Sequence, residues 1–191
     1  LGKEINPEDE LTLQNLLDLD AAGYIEGIQE ITIAAEKEYN LERGLKAMIT
    51  EWEVVDYEVK PFKDSGTYIV GGIDDIVTLL DDHIVKVQTM RGSPYIKPIE
   101  KEAKDWEYKL KYATGLLDQW IMCQRTWMYL EPIFGSEDIM RQLPQEGRRF
   151  QTVDQLWRKT LADTAIDPNF MVNADPEKGL DGKFKKANEK L

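Results

Sequence analysis

The chain has 191 residues, 42% hydrophobic and 31% charged, with a net charge of −12; this profile fits one folded domain or two small ones and excludes a disordered chain. The acidic excess lies in the first half: residues 1–95 carry 8 Lys and Arg against 20 Asp and Glu, while residues 96–191 carry 16 of each. Such a surface repels phosphate backbones and acidic filaments, so nucleic acid is not an expected partner; the face is either solvated or meets a basic protein. No apolar run approaches the roughly 18 residues that cross a bilayer, and no charged-then-apolar leader is visible, so no membrane is expected. Cys123 is the only cysteine and cannot form an internal disulfide, which points to a reducing, intracellular setting.

In chain order, Asn6, Pro7 and the acidic run Glu8–Glu10 predict a helix start. A break near Gly23 precedes a second helix with Tyr24, Ile28, Ile31 and Ala35 on one face. Asn40 is read as the N-cap of a third helix, carrying Leu41, Leu45, Met48, Ile49 and Trp52. The period then falls to two: Val55, Tyr57 and Val59 alternate with charged residues, "KDSG" supplies a turn, and "TYIVGG" returns. A β-hairpin inserted between helices is predicted, lying against them because an isolated hairpin is marginal. Helical spacing resumes from Ile73 to Val87 and stops at Gly92-Ser93-Pro94.

The longest helix is predicted from about Pro98 to Glu131. Trp106, Leu110, Ala113, Leu117, Trp120, Gln124 and Trp127 form one seam, with Phe134 a heptad beyond; Pro132 and Gly135 must kink or end it. A short helix opens at Ser136, and another runs through Phe150, Val153, Leu156, Trp157 and Leu161. A turn-rich connector follows. The closing "KFKKANEKL" is helical in propensity without a stop signal, so the chain is expected to be a piece of something longer. The fold class is mainly α, elongated helical bundles with one hairpin: N-terminal helices over 1–53, the hairpin over 54–71, a bundle core over 72–165, and a connector with the start of a truncated helix over 166–191.

Catalytic constellations are not found. "GLDGKF" at 179–184 has a Gly-Lys pair, but its glycine spacing is wrong for a phosphate loop and Phe184 stands where a hydroxyl belongs. His83 is the only histidine, and its helical neighbours Leu79, Leu80, Lys86 and Val87 offer no carboxylate. Asp74-Asp75 and Asp81-Asp82 form either a divalent-ion site or a solvated face with an Asp82–Lys86 pair. Cys123 lies mid-helix, where a packed thiol is expected. The tryptophan seam is either the core of a stiff bundle or a binding groove; Gln124 and Glu131 near it each need a polar partner.

"DDHIVKVQTMRGSPYIKP" and "LLDQWIMCQRTWMYLEPIFGSEDIMRQLPQEGRRFQTVDQLWRKT" resemble the linker region of dynein heavy chains, most of all the axonemal, inner-arm type. Gln124, Trp127, Leu130, Glu131, Phe134, Asp138, Ile139, Leu143, Pro144, Phe150, Val153 and Trp157 carry the pattern, and the hairpin region and "TYIVGGIDDIVTLLDDHIVK" fit the same likeness. The resemblance implies a lever lying across a ring of AAA+ modules, bending and straightening with ATP hydrolysis to drive movement along microtubules, in an axoneme of a cilium or flagellum. It implies that the ring belongs to the same heavy chain, that dynein subunits and the microtubule are met only through the parent, and that this fragment is no enzyme and needs no cofactor or metal. On that reading Trp106, Leu110, Leu117, Trp120, Trp127 and Phe134 are a stiffening seam, Pro132 and Gly135 a candidate hinge, and Arg148 and Arg149 a candidate ring contact. The rival is a free-standing acidic helical adaptor that binds a basic protein; an independent enzyme comes third.

Overall fold

The computed structural model describes residues 12–18 and 21–191. In order these form α1 (Leu13–Asp18), α2 (Ile25–Glu51), β1 (Glu58–Pro61), β2 (Tyr68–Gly71), α3 (Ile73–Arg91), α4 (Glu100–Phe134), α5 (Glu137–Gln142), α6 (Pro144–Ile166), α7 (Phe170–Asn173) and α8 (Leu180–Asn188). Short 3-10 turns lie at Ala21–Tyr24, Trp52–Val54, Lys97–Ile99 and Pro176–Lys178. The chain is mainly helical with one inserted hairpin, as its periodicity predicts. The helix start at Asn6 falls outside the described residues.

Two expected helices prove to be one. α2 runs unbroken through Asn40, which therefore caps nothing. Asparagine is only mildly unfavourable inside a helix, and no Gly or Pro precedes it to break the chain. The expected face of Tyr24, Ile28, Ile31 and Ala35 is exposed; burial begins only at Leu45, Met48 and then Trp52.

β1 and β2 pair antiparallel with Val59 opposite Val70. Gly66 adopts positive φ in the connecting loop, and Gly72, also at positive φ, turns the chain from β2 straight into α3. α4 has 35 residues, which makes it about 50 Å long. It packs against α3, α6 and α8 and forms the axis of the core. It ends within a turn of Pro132, where the Gly135 N–H closes on the Glu131 carbonyl at 2.9 Å. Among the described residues no helix is long and apolar enough to cross a membrane.

The hairpin is tied to the bundle by side chains. Gln124 of α4 accepts from the Val70 N–H through Oε1 and donates to the Val70 carbonyl through Nε2, both at 2.9 Å. The Trp157 indole of α6 donates to the Tyr68 carbonyl at 3.2 Å. The edge of β2 away from β1 is thereby covered, which is how a buried strand edge must be finished. α3 is tied to α4 through Glu107, which is buried and takes bonds from Gln88, Arg91 and Lys111. Those cations and the amide, led by the Lys111 bond, hold its carboxyl down at about 2 despite burial.

Replacing Gln124 with leucine keeps the bulk but leaves the Val70 N–H and carbonyl buried without partners. The expected loss in a urea unfolding curve is about 2–6 kcal/mol, from roughly 1–3 per orphaned group. A loss below about 1 kcal/mol would show that the hairpin does not depend on this clamp.

Candidate functional site

The α4 seam is buried throughout: Trp106, Leu110, Ala113, Leu117, Trp120, Gln124 and Trp127 all face the interior, and Phe134 is partly buried against the same cluster. A ligand box would leave ring faces open, whereas Trp120 and Trp127 have no exposed surface at all. Each meets rings from other elements. Trp127 lies nearly parallel to Trp157 of α6, centroids 5.2 Å apart, and edge-on to Phe62 after β1 at 5.4 Å. Trp120 contacts Phe184 of α8 at 4.8 Å and Tyr57 before β1 at 5.1 Å. Phe184 also reaches Trp157, Tyr57 reaches Phe170 of α7, Phe170 reaches Trp52, and Trp52 reaches His83 of α3. An unbroken run of rings thus joins α3, α7, the hairpin, α4, α8 and α6. Trp106 has no ring partner among the described residues.

Burying one tryptophan removes roughly 150–250 Å² from water, about 4–6 kcal/mol at 25 cal/mol per Å² before chain entropy. That outweighs the cost, roughly 1–3 kcal/mol, of the Trp120 Nε1–H, which has no acceptor among the described residues. Trp127 Nε1 is satisfied by Asp154 at 3.0 Å. Asp154 also takes the Arg158 Nε–H at 2.7 Å, and Arg158 donates onward to the Ser65 carbonyl at 2.7 Å. One polar chain therefore runs from α4 through α6 to the hairpin loop, parallel to the rings.

Pro132 and Gly135 are exposed at the α4 terminus. Across that break Phe134 stacks on Phe150 of α6 at 5.1 Å, and Glu131 lies 4.0 Å from Arg158. Contacts that climb α4 from Trp127 to Phe134 descend α6 from Trp157 to Phe150, so the two helices are antiparallel and the break is their turn. Arg148 and Arg149 are exposed on the first turns of α6; Arg148 Nε donates to the Pro144 carbonyl at 3.1 Å. Cys123 is buried, and burial pushes its thiol up to about 12. Phe184 of the glycine-lysine stretch is a core residue. Asp82 pairs with Lys86 at 2.6 Å, and no group of three or more His, Cys, Asp or Glu able to hold a metal occurs among the described residues.

The carboxylate for His83 comes from another helix, α2, and so leaves no signal in the spacing along α3. His83 is fully buried; its Nδ1 accepts from Trp52 Nε1 at 3.0 Å, and Nε2 lies 3.3 Å from Glu51 Oε2 at the end of α2. Because Trp52 can only donate, the neutral ring carries its proton on Nε2, toward Glu51. Protonating Nδ1 requires breaking the tryptophan bond. The facing charges are Glu51 from α2 and Asp82 and Lys86 from α3; burial, opposed by Glu51, sets the His83 pKa below its ordinary value. A lowered folded pKa means that the unfolded chain binds the proton more readily, so this stability is present above about pH 6.5 and is lost as pH falls toward the folded value. Since His83 is the only histidine, His83→Gln should flatten the fall in melting temperature between about pH 7 and 5. An unchanged slope would locate the acid sensitivity elsewhere.

Asn169 is the other side chain that spacing did not disclose. Its amide donates to the carbonyls of Trp52, Glu53 and Val55 while its Oδ1 caps α7 through the Val172 N–H at 3.0 Å. "DPN" marks a turn, but partners 114 or more residues away leave no local signal.

The family described as "Dynein heavy chain, N-terminal region 2" matches residues 1–191. Dynein axonemal heavy chain 12 of Rattus norvegicus is 42% identical over 191 residues, all of this chain and 6% of that protein. Dynein axonemal heavy chain 3 of Homo sapiens is 45% identical over 175 residues, 92% of this chain and 4% of that protein. Dynein axonemal heavy chain 1 of Rattus norvegicus is 41% identical over 195 residues, again all of this chain and 4% of that protein. The chain thus spans a small fraction of the length of the relatives it matches. An aromatic-welded helical body and a family match over its full length lead to one assignment: the chain belongs to the dynein heavy chain family, in its N-terminal region 2.

Proposed function

We propose that this chain is part of the linker of an axonemal-type dynein heavy chain, a mechanical member that transmits the work of ATP hydrolysis. The observation that carries the reading is the run of rings from His83 to Phe62. It ties hairpin and helices into one body, and a lever needs stiffness rather than a reactive cleft. Nucleotide and microtubule sites belong, on this reading, to other parts of the parent chain, and the movement driven is that of a cilium or flagellum.

A lever also flexes and docks. Pro132–Gly135 is the candidate flexing point; with α4 and α6 held together at Trp127 and Trp157, flexing there is confined to the turn between them and must open the Phe134–Phe150 stack. Arg148 and Arg149, exposed beside that turn, are the candidate contact with the AAA+ ring, where charge pairs suit switchable docking. The test is microtubule gliding by an intact heavy chain carrying this segment. Joining Phe134→Cys to Phe150→Cys by oxidation should slow gliding several-fold, reversibly with reductant, while ATP turnover continues. Arg148→Glu with Arg149→Glu should also change the speed. Unchanged speed in the first case removes the hinge, in the second the ring contact, and in both overturns the lever reading for this segment.

A further inference from the structure

Cations are the minority charge of this chain, 24 against 36, yet three of them stand together without acids to hold. A pocket of about 350 Å³ lies between the second half of α6 and the start of α8, with Lys159, Lys178 and Lys183 exposed around it. None of the three has an ion-pair partner among the described residues, whereas Lys46, Lys60, Lys86, Lys104 and Lys111 each hold a carboxylate. Asp163 also lines the pocket; three lysines against one aspartate leave it two charges positive.

The pocket has a polar wall as well. Thr160 is 6% exposed and lines it. The Thr160 carbonyl takes the Thr164 hydroxyl at 2.8 Å, but the Thr160 hydroxyl itself makes no hydrogen bond among the described residues. Hydroxyls that deep are normally bonded, and this one opens on the pocket, where a ligand would meet it. Asn173 on the same wall is held by its amide, which donates to the Asp167 and Asn169 carbonyls, each at 2.8 Å. A wall fixed in this way costs little ordering when the pocket is filled.

The "GLDGKF" stretch completes the mouth, though not as a nucleotide loop does. Gly179, at φ 59°, is the N-cap of α8 and has no side chain to cover the N–H groups of the first turn. A Cβ added at Gly179 or at Gly182 would meet nothing within 4 Å, so the backbone there is open to approach. Lys183 Nζ donates to the Lys178 carbonyl at 2.8 Å, which holds an ammonium group at the positive end of the helix dipole. That placement is unfavourable for a cation alone and becomes favourable once an anion is bound beside both. Asp181, the acid of the first turn, does not line the pocket.

We infer that this pocket binds a phosphate group, carried by a small molecule or by a phosphorylated side chain. A phosphate dianion matches the charge excess of the lining, and it has more acceptor oxygens than a carboxylate to share among the ammonium groups, the Thr160 hydroxyl and the first-turn N–H groups. The site lies on the opposite half of α6 from Arg148 and Arg149 and does not depend on the lever reading.

The test is a titration of the 191-residue chain, labelled with nitrogen-15, with inorganic phosphate and separately with N-acetyl-O-phosphoserine amide, chloride being adjusted to hold the ionic strength constant. At least one should bind saturably below about 5 mM and shift the amides of Thr160 and of residues 178–183. Tighter binding of the phosphoserine assigns the site to a phosphorylated side chain; equal or tighter binding of inorganic phosphate assigns it to a small molecule. Lys178→Gln with Lys183→Gln should weaken binding about tenfold. Thr160→Val should weaken it about fivefold and leave the melting temperature of the free chain unchanged or higher, because the hydroxyl it removes bonds nothing there. No saturable binding of either anion, shifts spread over all the exposed lysines, or an unaltered affinity in either variant would each overturn the assignment.

Discussion

Trp127 lies against Trp157 with ring planes 20° apart, and each of these indoles also holds the hairpin: Trp127 by its edge contact with Phe62, Trp157 by its bond to the Tyr68 carbonyl. Two antiparallel helices and a two-stranded sheet therefore share one pair of rings. Neither strand would persist alone in water, and α6 adds the Arg158 bond to the Ser65 carbonyl in the hairpin loop. The same pair hands the network on through Phe184, so the rings also reach α8.

Polar groups follow the rings instead of interrupting them. Gln124 stands among the seam residues because β2 presents an N–H and a carbonyl that its amide matches. Asp154 takes the Trp127 N–H and Arg158 together. His83 accepts the Trp52 N–H, and so extends the network to α3 with a titratable group at its far end. The Trp120 and Trp106 N–H groups and the Tyr57 hydroxyl are exceptions, without a partner among the described residues, and there the area buried outweighs the unmade bond.

Much of this was legible in the sequence. The seam of α4 is written in its three-four spacing, the hairpin in its alternation around "KDSG", and the start of α3 in the Gly71-Gly72 pair. That Gln124 needed a partner was legible too, because a primary amide in an apolar stripe cannot be left unsatisfied. That the partner is Val70, 54 residues earlier, was not. His83 and Asn169 were obscure for the same reason: their contacts span 31 and more than a hundred residues, and periodicity reports only which face of an element turns inward. Asn40 misled in the opposite direction. A residue that caps well also sits in a helix at small cost, so without a break before it the local signal carries no weight. The apolar residues of early α2 show the limit of the same logic, since helical spacing does not say whether a face finds a partner within these residues.

If the rings weld as the geometry implies, the hairpin and the helices it touches open as one mechanical unit. Native-state hydrogen exchange of the backbone amides measures this directly, because amides that open together share one free energy of opening. The protected amides of β2, α4, α6 and α8 should share a common value, while those of the exposed first half of α2 exchange at a lower one. A hairpin that opens well below α4 and α6, with those helices still protected, would contradict this.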